Sequence, residues 1–360
     1  MKIILKIKHL LSVLFIFLMF SFIFFNVLLS KNQDFIWINT KMKGLDQLHI
    51  YPFINFVSND YSIVSGYILY KGSLYFAFIN EDSKIKQLEG IGGLESCILD
   101  ASDNGIYAGW ATNEEGLYIP TYWTKEGKIN IISKNEGKAN VISPDGKYIA
   151  GFIKNSNIDN PYKNFIYDMN SKELTILDDL FFANYNNFIF TDINSSYNMV
   201  GYMYNNESYM PFMYINKKLR IPGEAIKEGE FRGISDNNEI VGFIVNKNKQ
   251  QNAIIYKNDK INYIFSQDIG SGANFISKDG KVIGGYFFDK NDNNYQKPFL
   301  YINNKIIDLE KEYKNYLNEG SYLLKVYNVS SNNIYVVGVG YNSEKQIQQP
   351  FVANISKLIK

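Results

Sequence analysis

Histidine, arginine and cysteine are the residues that this chain has least of. Its 360 residues include two histidines and one cysteine, and the only arginines are Arg220 and Arg232. Catalytic triads and histidine zinc sites need histidines in one cleft, whereas His9 borders an apolar run and His49 ends a predicted strand. Cys97 cannot form an internal disulfide, and its place in a predicted inner strand favours a small buried hydrophobe over a reactive thiol. We therefore expect no catalysis based on histidine or zinc.

Strong charge of either sign is also missing. The formal net charge is +1, and no block of basic residues follows the N-terminus. Proteins that bind nucleic acid present a positive face that displaces counterions, so we expect no nucleic-acid partner. Two arginines are too few for the cluster with which propeller sialidases bind an anionic substrate. The sialidase-like Asp-Gly turns at 143–146 and 277–280 are explained by turn chemistry alone.

What the chain does have is one pattern repeated seven times. Each copy joins an apolar strand end, a turn rich in Ser, Asn, Asp and Gly, and a β-branched strand that ends in Gly. The copies span residues 57–66, 101–109, 142–151, 193–201, 234–242, 276–284 and 329–338. They begin about 41 to 53 residues apart, which is close to the period of a four-stranded propeller blade.

The remainder of each repeat supplies two more strands. An aromatic strand such as Asn164–Tyr167 follows a polar loop, and a short closing strand such as Glu173–Leu177 follows the next turn. Four antiparallel strands per unit predict an all-β, seven-bladed propeller that forms a single domain over residues 32–360, and we expect a monomer. The predicted repeats are about 53–90, 95–134, 138–179, 188–226, 230–269, 273–311 and 322–360.

The two halves of the repeat are unequal in number. An extra aromatic segment, Asp34–Asn39, and an extra closing segment, Lys43–Leu48, precede the first complete unit. We interpret residues 33–50 as a closing half unit, in which the N-terminus supplies an outer strand to the blade begun by the C-terminus. Whether that segment or Phe351–Lys360 forms each outer strand stays open.

Glycine recurs at one register of the second strand. The positions are Gly66, Gly109, Gly151, Gly201, Gly242 and Gly338. A repeated strand glycine marks a bulge or a close approach of backbones. We predict a structural role, because inner strands crowd one another near a propeller axis.

The N-terminus predicts export. Lys2, Lys6 and Lys8 precede an uncharged run over residues 10–29, which is long enough to span a bilayer as a helix. Residues 1–31 are interpreted as an uncleaved signal anchor, with a cleaved signal peptide and a buried core helix as the alternatives. The first two interpretations place residues 31–360 outside the cytoplasm, either anchored to the cell membrane or secreted.

The repeats resemble the HAF family of bacterial extracellular repeat proteins. The resemblance rests on the Ile-Ser-x-Asp-Gly-x-x-Ile-x-Gly pattern, on aromatic strands of the Phe-Ile-Trp/Tyr kind, and on Gly90–Leu94 before a repeat. The histidine that gives the family its name is absent, and the nearest match is Phe76–Phe78. The resemblance implies export and a repeat fold, but it implies no defined reaction and no catalytic residues.

One loop offers a weak metal candidate. Asp289, Asn291 and Asn293 alternate as oxygen ligands and could begin a Ca²⁺ loop. The segment lacks the glycine at position six and the distal glutamate, so an ordinary polar loop is the alternative. No other metal or cofactor is expected.

Loops between the second and third strands should all emerge on one face of the propeller. They carry Asn, Gln, Tyr and Asp, which can hydrogen-bond hydroxyl groups or stack on a ligand. The candidate ligand-binding residues are Tyr162, Tyr209, Asp289, Asn293 and Tyr295.

These observations favour a non-catalytic module that binds a glycan or a protein at the cell envelope. The alternatives are a carboxylate-dependent, glycosidase-like envelope hydrolase and a structural spacer without a specific ligand. Acidic residues clustered at the propeller axis would favour the hydrolase. An aromatic pocket on the loop face would favour binding.

Overall fold

The computed structural model describes residues 34–40, 42, 50–82, 84–86, 88–154, 162–177, 188–205, 208–223, 226–289 and 292–360. The predicted signal or anchor segment, residues 1–31, lies outside them. Among the described residues, no helix is both long and apolar enough to cross a membrane.

The described chain is a seven-bladed, all-β propeller, as the repeats predict. Its strands form seven four-stranded antiparallel sheets. Strand β1 (Phe35–Trp37) stands apart in sequence. The first three blades are β2 (Ile50–Val57), β3 (Ile63–Tyr70), β4 (Leu74–Glu81) and β5 (Lys84–Lys86); β6 (Gly92–Ala101), β7 (Tyr107–Asn113), β8 (Tyr118–Trp123) and β9 (Ile129–Ile131); and β10 (Gly137–Ile142), β11 (Tyr148–Lys154), β12 (Tyr162–Asp168) and β13 (Leu174–Ile176).

The next three blades follow the same order from inner to outer strand. They are β14 (Phe188–Ile193), β15 (Met199–Asn205), β16 (Ser208–Ile215) and β17 (Lys218–Arg220); β18 (Gly229–Ile234), β19 (Ile240–Val245), β20 (Gln251–Lys257) and β21 (Lys260–Tyr263); and β22 (Ser271–Ile276), β23 (Val282–Asp289), β24 (Asp292–Ile302) and β25 (Lys305–Asp308). A short helix α1 (Leu309–Glu312) and a 3-10 turn (Lys314–Tyr316) lead into β26 (Tyr322–Val329), β27 (Tyr335–Asn342) and β28 (Ile347–Asn354) of the seventh blade.

Strand β1 completes the seventh blade. It pairs antiparallel with β28, with Phe35 opposite Ala353 and Trp37 opposite Phe351. The rings of Phe35 and Phe351 stack with centroids 5.3 Å apart. The N-terminal segment therefore forms the outermost strand, and the C-terminal segment forms the third strand. The predicted extra closing segment, Lys43–Leu48, lies entirely outside the described residues.

The core lies between neighbouring blades. Side chains alternate along each strand, so every sheet presents apolar residues to the blades on both sides. Third-strand phenylalanines from five blades are fully buried there: Phe78, Phe165, Phe212, Phe299 and Phe351. One cluster joins the seventh blade to the first through Val337 and Ile54, so the ring closes with an apolar contact like those between consecutive blades.

Each inner strand carries a β-bulge at the same place. The inserted residues are Asn55, Leu99, Asn140, Thr191, Arg232, Asn274 and Tyr327. The repeated glycine lies opposite the bulge, and a Cβ at Gly109 would come within 1.9 Å of the Cys97 carbonyl oxygen. In the sixth blade Gly285 takes this position, not Gly284. The glycine is required by a contact within the blade, whereas the sequence had suggested crowding between inner strands of different blades.

The turns between the first and second strands share one geometry. Their fourth residue has a left-handed φ in every blade, for example 72° at Gly146 and 77° at Gly280. The first residue is a Ser or Asn that satisfies backbone N–H groups within the turn, as when Tyr148 N donates to Ser143 Oγ at 3.0 Å. The repeated Asp-Gly turns thus have a complete structural explanation.

Strand direction defines two faces. Turns from the first to the second strand and from the third to the fourth form the turn face. Connections from the second to the third strand, and from one blade to the next, form the loop face. Because β1 runs antiparallel to β28, Asp34 enters the propeller at the turn face.

Candidate functional site

Two cavities of the described part of the chain gather residues from three or more blades. The axial channel opens on the turn face and has a volume of about 260 Å³. The tyrosine groove lies on the loop face across the second, third and fourth blades and has a volume of about 460 Å³.

The bulges place the polar side chains of Asn55, Thr191, Arg232 and Asn274 around the axial channel. Several of them bind the backbone of the next blade. Asn55 Nδ2 donates to the Ile98 carbonyl oxygen at 2.7 Å, and Asn274 Nδ2 donates to the Val326 carbonyl oxygen at 2.7 Å. These bonds hold adjacent inner strands together, and polar groups in the channel are therefore used for the architecture.

Two carboxylates line the same channel. Asp100 accepts a hydrogen bond from Ile142 N at 2.8 Å, and Asp192 accepts one from Ile234 N at 2.8 Å. The second oxygen of each accepts the N–H of the following residue. Both side chains keep some exposure to the channel, yet protein surrounds them, and this burial raises the pKa of Asp100 to about 8 and of Asp192 to about 7. All four oxygens are occupied by backbone donors.

An ion pair crosses the mouth of the channel. Lys278 in the sixth blade contacts Asp103 in the second blade, and Ser331 in the seventh blade donates to the same carboxylate. The three residues occupy the second position of their turns. Lys278 and Asp103 belong to blades that are not neighbours, so their contact restricts entry to the channel from the turn face.

The tyrosine groove is assembled from three blades. Its aromatic lining consists of Tyr118, Phe152, Tyr162, Phe188, Tyr202, Tyr204 and Tyr209. Strand alternation places Tyr202 and Tyr204 on one side of β15, and Tyr209 lies opposite Tyr204 on β16. Tyr204 is 39% exposed and Tyr209 is 43% exposed. Large aromatic surface therefore remains open to solvent.

The groove rings meet mainly edge to face. Tyr202 and Tyr209 have centroids 5.4 Å apart at 74°, and Phe152 and Tyr162 have centroids 5.5 Å apart at 90°. Such pairs hold one another in place and lose little side-chain freedom when a ligand arrives. The groove is therefore a preformed aromatic surface.

Charged groups border these rings. Glu136 forms an ion pair with Lys154 at 3.0 Å. Lys138 lies with Nζ 5.2 Å from the Trp110 ring centroid and 5.1 Å from that of Tyr118. Cys97 is buried, and this burial raises the pKa of its thiol well above the usual value.

The structure brings together only part of the candidate ligand set. Tyr162 and Tyr209 both line the groove. Asp289 and Tyr295 belong to the sixth blade, where Asp289 pairs with Lys297 at 2.8 Å and Tyr295 packs edge-on against Tyr322. Asn293 lies on β24, and the placement of its side chain is not described.

The same loop holds the metal candidate. Asn291 lies outside the described residues. In the part of the chain that the structure describes, no three His, Cys, Asp or Glu side chains are grouped so as to hold a metal ion. The Asp289 carboxylate already has Lys297 as a cationic partner.

Sequence reasoning missed Tyr118, Phe152, Lys138, Tyr202 and Tyr204. The alternation Tyr202-Met-Tyr204 gave a local signal for two of them. No local signal joins them to Tyr118 of another blade, because that proximity depends on how blades pack.

No family model matches the chain, and no curated protein matches it. The chain is similar to several solved propellers. The β-propeller domain of the Trilobed protease from Pyrococcus furiosus has a TM-score of 0.60 at 11% identity, over 85% of this chain and 95% of that one. That domain is described as having an open velcro topology, whereas here β1 completes the last blade.

Two further solved structures share the fold. An acylaminoacyl peptidase has a TM-score of 0.57 at 9% identity and covers 84% of this chain, and the match spans 51% of the peptidase, about half its length. An oligogalacturonate lyase from Vibrio parahaemolyticus has a TM-score of 0.52 at 12% identity, over 91% of this chain and 99% of that one. At these identities the likeness shows the fold alone.

Proposed function

We propose that this protein is an exported propeller that binds a glycan or a protein at the cell envelope through the tyrosine groove and does not catalyse a reaction. The single observation that supports this most is the open aromatic surface of the groove, where five tyrosines gather. Exposed aromatic surface of this kind is typical of binding sites.

The groove has the properties of a ligand site. Its volume of about 460 Å³ lies within the usual range for ligand pockets. The rings supply apolar area, and the tyrosine hydroxyls and bordering charges supply polar contacts. Most of the described lining residues lie on strands of three blades, so these side chains need little ordering on binding.

A hydrolase is the second candidate, and it has one observation in its favour. Asp100 and Asp192 meet the expectation of acidic residues at the axis, and their raised pKa values resemble those of general acids. However, both oxygens of each carboxylate accept hydrogen bonds from backbone N–H groups. A group that must also hold two blades together is poorly placed to transfer protons, so binding is the better supported function.

The path of the chain agrees with display on a membrane. The predicted anchor ends at residue 29 and β1 begins at Phe35, a separation that extended chain spans with about 20 Å. Asp34 lies at the turn face, where its Oδ2 accepts hydrogen bonds from Lys357 Nζ and from the Tyr316 hydroxyl, each at 2.7 Å. An anchor at residues 10–29 would keep the turn face near the membrane and direct the groove outward. Export, anchoring and membership of the HAF family remain predictions.

Binding is tested with the full-length protein in detergent micelles, applied to a glycan array and to immobilised envelope proteins. We expect a defined partner that Tyr209→Ala loses and that Asn237→Ala, an exposed change on the turn face, retains. Absence of any partner, or equal loss in both variants, would contradict the proposal.

Export is tested separately with introduced cysteines. Because Cys97 is buried, a new cysteine at Glu115 on the loop face or at Asn237 on the turn face is the principal reactive thiol. A thiol reagent that cannot cross the cytoplasmic membrane should label both variants in intact cells. Labelling only after lysis would place the propeller in the cytoplasm.

A further inference from the structure

Lys138 is a half-buried cation at the groove that pairs with no carboxylate of the described residues. It lines the groove, and its Nζ lies over the rings of Trp110 and Tyr118 at 5.2 and 5.1 Å. Within the described residues it forms no ion pair with a carboxylate. Burial lowers the pKa of Lys138, which reflects the cost of enclosing a charge.

Two other cations, one partly buried on an inner strand and one exposed at the rim of the groove, are paired with carboxylates. Arg232 pairs with Glu230 at 2.9 Å, and Lys154 pairs with Glu136 at 3.0 Å. Buried charges are normally paired. Among the described residues the ammonium of Lys138 has aromatic partners only. An ammonium in that position, beside an open cavity, is complementary to an anionic ligand.

We propose that the groove takes an acidic glycan, with the ammonium of Lys138 binding a sugar carboxylate while the tyrosines contact the apolar face of the sugar rings. This inference rests on the proposed binding function and names its ligand class. The exposed rings of Tyr204 and Tyr209 provide the surface for C–H groups of a pyranose, and Lys138 provides the charge.

The charges at the groove argue against a cationic ligand. Trp110 is the best cation acceptor of the aromatic residues, and Lys138 already occupies its face. A second cation would be repelled by Lys138 and would find Glu136 already paired with Lys154. A neutral glycan would leave Lys138 without a counter-charge, and this difference gives acidic glycans their advantage.

The fold offers a matched control for Lys138. Lys325 occupies the same position of the inner strand in the seventh blade, two residues before the bulge. It is also half-buried, lies 5.4 Å from an aromatic ring centroid and has its pKa lowered by burial. Lys325 is not among the residues that line the groove.

The test is calorimetric titration of the full-length protein in detergent micelles with β-1,4-linked triglucuronate and with cellotriose. The two ligands share linkage and ring stereochemistry and differ by the carboxylates. Wild type, Lys138→Gln, Lys138→Arg and Lys325→Gln are compared, and each variant is first checked for an unchanged melting temperature.

We expect triglucuronate to bind at least about tenfold more tightly than cellotriose, a difference of about 1.4 kcal/mol, because hydrogen bonds to charged groups are stronger than those between neutral groups. Lys138→Gln should remove this preference, and Lys138→Arg and Lys325→Gln should retain it. If Lys138→Gln does not fold, two other observations replace it. The preference for triglucuronate should disappear in the wild type at high salt, and it should be retained in Lys325→Gln.

The outcomes separate this inference from the proposed function. Equal binding of the two trisaccharides would overturn the acidic preference and leave glycan binding standing. If neither trisaccharide binds but an envelope protein binds and Tyr209→Ala weakens that binding, a glycan ligand is refuted and the proposed binding function stands. Binding of nothing at the groove would overturn both.

Discussion

The turn face and the loop face follow opposite rules. On the turn face all seven turns repeat one geometry, with a left-handed residue at the fourth position and Ser or Asn at the first. Its polar groups bind within the turn, to the next blade, as when Asn332 N donates to Asn59 Oδ1 at 2.9 Å, or across the channel mouth, as between Lys278 and Asp103. On the loop face the blades differ, and around the third blade tyrosines stay open to solvent and the half-buried Lys138 lines the groove.

This contrast separates architecture from binding. Polar side chains on the turn face and at the axis form hydrogen bonds that hold the blades together. Substitutions there should therefore lower the stability of the protein. The groove contributes few buried contacts, so changes there should affect binding. The role of a carboxylate in a turn or in the channel therefore follows from its hydrogen-bond partners and not from its residue type.

The largest effect should come from removing β1. Deleting residues 34–37 from the full-length chain exposes Phe351 and leaves the seventh blade without its outer strand. Loss of the buried Phe35 alone is worth about 3–5 kcal/mol, so the free energy of unfolding should fall by more than that, or the protein should aggregate. Asp34→Asn, which loses only surface contacts, is the control in chemical denaturation. A deletion variant as stable as Asp34→Asn would refute the role of β1.

The next largest effect concerns the bulge. Gly109→Ala places a Cβ within 1.9 Å of the Cys97 carbonyl oxygen, so strands must separate, and we expect a loss of about 3 kcal/mol or more. Gly90→Ala meets no atom within 4 Å and should change stability by less than about 0.5 kcal/mol. Similar denaturation midpoints for both variants would show that the glycine is not needed at the bulge.

A turn glycine should matter less. Gly146 has φ 72°, so Gly146→Val should cost about 1–3 kcal/mol through strain. Asp145→Ala should leave binding intact, because Asp145 acts within its own turn and on Tyr197. Thermal melting and glycan-array binding are measured together. Loss of binding in a folded Asp145→Ala protein would make the turn face a functional site.

The two kinds of carboxylate should respond to pH in opposite directions. Burial raises the pKa of Asp192 to about 7, whereas the unfolded value is near 3.8. The folded state then holds more protons between these values, so its stability should decline as the pH rises from about 4 to about 7. Asp192→Asn should flatten this decline in urea denaturation curves. A wild-type stability that increases over this range would contradict the assignment.

Turn carboxylates give the contrasting case. Burial alone would raise the pKa of Asp279, but hydrogen bonds from Asn333, Ser277 and Lys281 outweigh it and lower the value to about 2. The stability contributed by Asp279 is therefore present above about pH 4 and is lost as the pH falls towards 2. In urea denaturation curves Asp279→Asn should reduce the acid-side loss, to which Asp145, with its pKa also lowered to about 2, still contributes, and it should leave the slope near neutral pH unchanged.

The smallest effect on stability should come from the groove. Tyr209→Ala should shift melting by little but weaken ligand binding about tenfold, since stacking contacts contribute about 1–3 kcal/mol. Tyr295→Ala is a matched control, because Tyr295 is 45% exposed against 43% for Tyr209 and lies on another blade. Equal loss of binding in both variants would extend the site to the sixth blade, as the sequence alone predicted.

Local sequence patterns predict much of the fold and part of the groove. Strand order within a blade follows from alternation and turn residues, and both act over a few positions. Tyr162 and Tyr209 were selected because polar loops carried aromatic side chains, and both line the groove. Asp289 and Tyr295 were selected by the same rule and lie elsewhere, because the rule has no information on which loops converge.

The sequence by itself determined the number of blades, the antiparallel order of their strands and the need for glycine at one register. Each of these depends on residues that are close along the chain. The tertiary structure decided that β1 is the outer strand of the last blade, that the glycines face a bulge in their own blade, and that the axial carboxylates bind backbone N–H groups. It also decided that tyrosines from different blades share a groove with Lys138. These features come from packing between segments far apart in sequence, and local patterns do not encode those distances.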